Sequence, residues 1–153
     1  MMKISTQLAK HFREVHFGGN WTGTSFQQIL DGVTYEQAIT KVGDLNTILT
    51  LTYHVHYYVA AVLKVFQGDA LNAKDAYSFD HPPISSQAEW ETFVAKVFND
   101  AEAFADCVEK LSENCFDQDF TDKKYGSYYR NIAGIIEHTH YHIGQISLLK
   151  KLV

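Results

Sequence analysis

Apolar and core-compatible residues recur alternately three and four positions apart over three stretches of the chain, the spacing of a helix that packs one side against its neighbours. From about 86 to 111 the pattern collects Trp90, Val94, Val97, Ala101, Phe104, Val108 and Leu111, with Glu91, Lys96, Asp100, Glu102, Asp106 and Glu109 off it. Ser86 and Glu89 precede this run at capping-box spacing, where two side chains satisfy the free amides of a first helical turn. From about 44 to 67 the same template gives Thr47, Leu51, His54, Tyr58, Ala61 and Val65. From about 128 to 152 it gives Asn131, Ile135, His138, His142, Gln145 and Leu149, ahead of Lys150 and Lys151, which suit the negative end of a helix dipole. Both of these seams are apolar at their ends and polar in the middle. Residues 49–62 are rich in β-branched and aromatic side chains, but their length and period favour helix over strand. A first helix, roughly 3 to 17, rests on Ile4, Leu8, Phe12 or His11, and Val15.

Glycine and proline punctuate the chain between these runs. Gly18-Gly19-Asn20, Gly68-Asp69 and Gly126-Ser127 mark breaks, and Asp80-His81-Pro82-Pro83 cannot be helical throughout. Residues 18–43 carry two short helical turns, Ser25 to Leu30 and one after Thr34, where Thr34 and Gln37 repeat the capping-box spacing. So long a connection permits a crossover between the first and second long helices. The expected fold is all-α: a four-helix bundle with long connections, forming a single domain over residues 1–153.

Composition narrows the functional classes. The chain has 153 residues, 46% hydrophobic, with a net charge of -5 and only 13 scattered basic residues, so the basic footprint of a nucleic-acid binder is missing. No apolar run reaches the roughly 18 to 20 residues of a membrane-spanning helix. The first residues, MMKISTQLAKHFREVHF, lack the continuous apolar stretch of a signal peptide. A cytoplasmic protein is expected, in which Cys107 and Cys115 are reduced; on one helix they would lie about 12 Å apart, too far for a disulfide.

The eight histidines are the candidate chemistry. His138 and His142, four apart on a helix, place their rings on one face roughly 5 to 6 Å apart at Cβ, a half-site for zinc, nickel, copper or iron. His54 is the histidine on the seam of the second long helix and supplies a third ligand from across the bundle. His56 and His140 sit about 200° round their helices from that face and should point away. His11 and His16 are expected at the rim or surface, and His81 in a loop. Three neutral imidazoles with an open fourth position match catalytic rather than structural metal sites. The run His138-Thr139-His140-Tyr141-His142 is not a zinc-protease motif, because no glutamate follows its first histidine. Tyr58, one turn beyond His54, is a candidate donor to a bound species or a core tyrosine. Gln145 is a candidate to orient a ligand or substrate, or a buried amide satisfied by backbone.

These residues resemble a known family. Tyr53-His54-Val55-His56-Tyr57-Tyr58 and Glu137-His138-Thr139-His140-Tyr141-His142-Ile143-Gly144-Gln145-Ile146 are similar to the metal-binding elements of the DinB-like (DinB/YfiT-related) superfamily of small bacterial bundles. Asn20-Trp21-Thr22, Tyr77-Ser78-Phe79-Asp80 and Tyr125-Gly126 extend the likeness to a subgroup. The resemblance implies a divalent metal on His54, His138 and His142, zinc or nickel first and iron or manganese next. It further implies a homodimer and a metal-dependent transferase that uses a low-molecular-weight thiol, or a hydrolase, of unknown substrate. The competing expectation is a non-catalytic bundle braced by the metal, acting in dimerisation, partner binding or a stress response. Neither DNA nor a membrane is an expected partner.

Overall fold

In a computed structural model, the described residues are 3–153, so Met1 and Met2 of the expected domain lie outside them. The chain is all-helical among these residues, with α1 (Ile4–Phe17), α2 (Phe26–Leu30), α3 (Tyr35–Ile39), α4 (Ile48–Phe66), α5 (Gln87–Lys110) and α6 (Tyr128–Leu149). Three single 3-10 turns complete the set, and the only sheet-like feature among the described residues is one isolated bridge between Asp119 and Ser127. None of the helices is long and apolar enough to cross a membrane.

The helix starts follow from local side-chain chemistry. Ser25 with Gln28, and Thr34 with Gln37, form complete capping boxes. Ser86 caps α5 by accepting from the Glu89 amide, but the Glu89 carboxylate turns to the Ser85 amide and hydroxyl instead of closing the expected box. Thr47 and Ser127 cap α4 and α6 in the same one-sided way.

Side-chain pairings give the helix directions. Arg13 of α1 forks to Glu102, Asp106 and Glu109 while Glu113 receives the amides of Ile4 and Ser5, so α1 and α5 run antiparallel. Tyr53 meets Phe93 near the start of α4 and Phe66 meets Phe104 near its end, which makes α4 and α5 parallel. His54 meets His138 and Phe66 meets Tyr128, so α6 runs back along α4. The chain-length crossover is therefore the segment 67–86, between α4 and α5. The 18–43 connection, expected to permit one, stays at a single end, where α2 packs on α1 and α6 and α3 packs on α4 and α5.

The indole of Trp90 is 2% exposed and donates to the Val33 carbonyl at 2.9 Å, fixing this end cap to α5. Trp90→Phe removes that donor and leaves part of its volume empty, and should cost about 1 to 3 kcal/mol. An unchanged urea midpoint would count against this role.

Three of the seams need correction. On α4 a buried stripe runs through Ile48, Leu51, Thr52, Val55, Val59 and Val62, and on α6 one runs through Ile132, Ile136, Thr139, Ile143 and Ile146. The predicted seams, through His54 and Tyr58 and through His138 and His142, lie one position to the side of these stripes. On α1, Ile4 is exposed, whereas His16 is 1% exposed and stacked on Phe12, not at the surface as expected. The α5 seam is the core stripe as read, with Val94 and Leu111 half-buried at its ends.

Candidate metal centre

The sideways offset of the α4 and α6 seams puts the histidines on the flank of the helix pair. His54 and His142 are 7% and 6% exposed, and His138, between them, is only half-buried. The three rings converge: His138 Nε2 lies 3.0 Å from His54 Nε2 and 3.0 Å from His142 Nε2. One ligating atom from each residue falls within 4.8 Å of the others.

The opposite edges of two rings are fixed. His54 Nδ1 donates to the Ser78 carbonyl at 3.2 Å, and His142 Nδ1 donates to Gln145 Oε1 at 2.7 Å. Each neutral imidazole carries one proton, so both Nε2 atoms present lone pairs to His138. His138 has at most one Nε2 proton to offer them, and at least one of the two short contacts lacks a good hydrogen bond. A shared cation would resolve the conflict by accepting all three lone pairs. Two nitrogens each about 2.1 Å from one ion and meeting at roughly a right angle would be about 3.0 Å apart, so both short contacts have the spacing of neighbouring ligands, and the chemistry of the donor set suits a metal.

Electrostatics keep the rings neutral. Burial, reinforced by His142 and His54, pushes His138 down to about 4. Burial and His142 lower His54 against the pull of Ser78, and burial lowers His142 against that of Gln145. A protein–metal bond therefore need not displace protons from these nitrogens at neutral pH.

The crossover builds the outer wall. Running back along α4, Lys74 exchanges hydrogen bonds with the Tyr57 hydroxyl, Asp75 receives the Tyr58 hydroxyl, and Ser78 reaches His54. Phe79 then stacks on the His54 ring at 3.9 Å and 7°. Sequence reasoning had no signal for these contacts beyond the Tyr77-Ser78-Phe79-Asp80 likeness. Tyr58 stands edge-on to His54 and His138, but its hydroxyl is held by Asp75 at 3.1 Å. It lines the site with its ring.

The other histidines point elsewhere, as the helical period requires. His56 Nε2 donates to Asp100 Oδ2 at 2.7 Å across the α4–α5 interface, and Lys96 reaches the same oxygen at 2.6 Å. Burial lowers His56 despite Asp100, while Lys96 and His56 hold the Asp100 carboxyl below the usual range against its own burial. The pair is therefore a neutral imidazole on a charged carboxylate. His140 faces His11 of α1 at 6.4 Å, and His81 lies in the loop against Tyr53. Cys107 and Cys115 are free thiols, the first on α5 and the second on the 3-10 turn after it.

Gln145 fixes the tautomer of His142, and for a metal-ligating histidine such a partner typically matters by about 10- to 100-fold in affinity. Gln145→Leu should weaken zinc binding by that factor in a chelator competition, with helix content unchanged; undiminished affinity would remove Gln145 from the site. In comparisons with known proteins, no family model, no curated protein and no solved structure matches this chain.

Proposed function

We propose that the protein is a DinB-like four-helix bundle that holds one divalent transition ion, zinc or nickel, through His54, His138 and His142, and acts as a metal-dependent transferase or hydrolase. The observation that carries this reading is the convergence of three Nε2 atoms, two of them locked as lone-pair donors by Ser78 and Gln145. A bound ion would supply a Lewis-acidic charge that favours the thiolate form of a small thiol, or hydroxide, at neutral pH.

The chain's own groups divide the remaining work. Ser78 and Gln145 keep protons on the outer nitrogens. Phe79 and Tyr58 exclude water from two sides of the rings. No carboxylate hydrogen-bonds to the three rings among the described residues, so a proton taken from the nucleophile would pass to solvent or substrate. An open cavity of about 750 Å³ reaches His138, and this favours an exchangeable coordination position over a purely structural brace.

Cobalt(II) tests both halves of the proposal. Cobalt-loaded protein should take up one equivalent with a visible spectrum that changes when azide or 2-mercaptoethanol is added. A cobalt spectrum unmoved by either ligand would leave the metal-braced, non-catalytic reading. A homodimer and a cytoplasmic location belong to the same proposal, and sedimentation at two concentrations tests the former.

A further inference from the structure

Arg130, Gly134 and His138 follow one another at intervals of four on α6 and therefore share one face. The cavity beside His138 runs along this face, with Tyr58 and Val62 of α4 as its opposite wall and Tyr125 and Tyr129 at its far end. Gly134 forms the floor midway: a Cβ there would meet nothing within 4 Å. A glycine inside a helix costs roughly 1 kcal/mol relative to alanine, and no close packing at Gly134 requires it. What the missing side chain leaves is an unobstructed trough between the metal ligands and the cationic end.

The charges along the trough are ordered. Among the described residues the Arg130 guanidinium has no hydrogen-bond or ion-pair partner, and its side chain lies back over Gly126, whose φ of 74° and missing Cβ make room for it. Lys124 stands at the same end, 4.8 Å over the Tyr125 ring and only loosely paired with Asp122 at 4.0 Å. Glu137 sits beside His138 and opposes an anion near the metal end. The helical rise puts Arg130 about 12 Å along the axis from His138.

We infer that this trough takes an elongated small molecule with a metal-binding donor at one end and a carboxylate or phosphate at the other, the anion being held by Arg130 with Lys124 beside it. The inference rests on the metal reading above. Tyr58 and Val62 would pack along the connecting chain, and the open position at Gly134 would set its thickness.

Cobalt-loaded protein gives the test through the near-ultraviolet thiolate-to-cobalt band, titrated with 8-mercaptooctanoate, 8-mercaptooctanol and 2-mercaptoethanol. Wild-type protein should bind the octanoate roughly tenfold more tightly than the octanol, the scale of a charge-assisted guanidinium–carboxylate contact. Arg130→Gln should abolish that preference while leaving 2-mercaptoethanol binding unchanged. Gly134→Leu, whose Cβ would meet nothing within 4 Å and whose branch would enter the trough, should weaken both eight-carbon ligands and spare the short one. Equal affinities for the octanoate and the octanol, with cobalt bound, would overturn this inference alone. Failure to bind cobalt would overturn the metal reading and this inference with it.

Discussion

One equivalent of zinc or nickel added to metal-free protein raises its melting temperature, and the rise vanishes in His54→Ala and His142→Ala. An ion that binds only the folded chain stabilises it by about 4 kcal/mol when its free concentration is a thousand times the dissociation constant. For a chain of this size that is a shift of roughly 8 to 16 °C. The metal-induced rise is the readout, because His54 also stacks on Phe79 and its loss lowers the baseline for a second reason. Calorimetric scans of wild type with and without metal check the prediction. Superimposable scans at millimolar zinc would dispose of the site.

Acid should destabilise the protein through a different histidine. His16 is stacked on Phe12 and edge-on to Phe26; its Nδ1 donates to the Phe12 carbonyl, and its Nε2 is buried without a partner. Burial, with a smaller contribution from His140 and against the Phe12 bond, lowers it from 6.5 to about 4. In the unfolded chain it returns to about 6.5. Its folded form is thus at no disadvantage above pH 6.5. Below that the unfolded state takes up a proton that the folded state refuses, and stability falls until the pH reaches the folded value near 4. By pH 4.5 the loss from this one group is on the order of 3 kcal/mol.

Other buried histidines act in the same direction, so the comparison must be internal. Urea unfolding of wild type and His16→Leu at pH 7 and 4.5 should show a pH-dependent loss smaller by about that amount in the variant. Parallel losses in the two proteins would mean that His16 is not the acid-sensitive group.

How much of this was legible in the sequence depended on how many faces each helix buries. On α5 a single stripe from Trp90 to Val108 is buried and the opposite side is acidic, so the period alone located it. On α4 the burial extends to both flanks, with Leu49, His54, His56 and Leu63 all buried around the core stripe. An apolar pattern that broad admits two adjacent registers, and the one containing His54 is the flank. That flank brings the three expected histidines together, and the same offset explains why His138 is open to a cavity instead of sealed in the centre.

His16 was missed for a related reason. It sits four residues after Phe12, on the core face, but its place near the first loop suggested the rim or surface. Long-range pairs such as His56 with Asp100 have no local spacing to betray them. Nor do Ser78 and Phe79, whose approach to His54 depends on the path of the crossover.

That path has slack. Spanning α4 from end to end needs about 28 Å, whereas residues 67–86 fully extended would cover more than about 60 Å. The surplus lets the segment detour over the His54 face and be tethered there by Tyr57, Tyr58 and His54 in turn. Between the Asp69 amide, which closes α4 on the Lys64 carbonyl, and those anchors, two or three residues added beside the exposed Asn72 should alter the outline of the loop and leave the ring of His54 where it is.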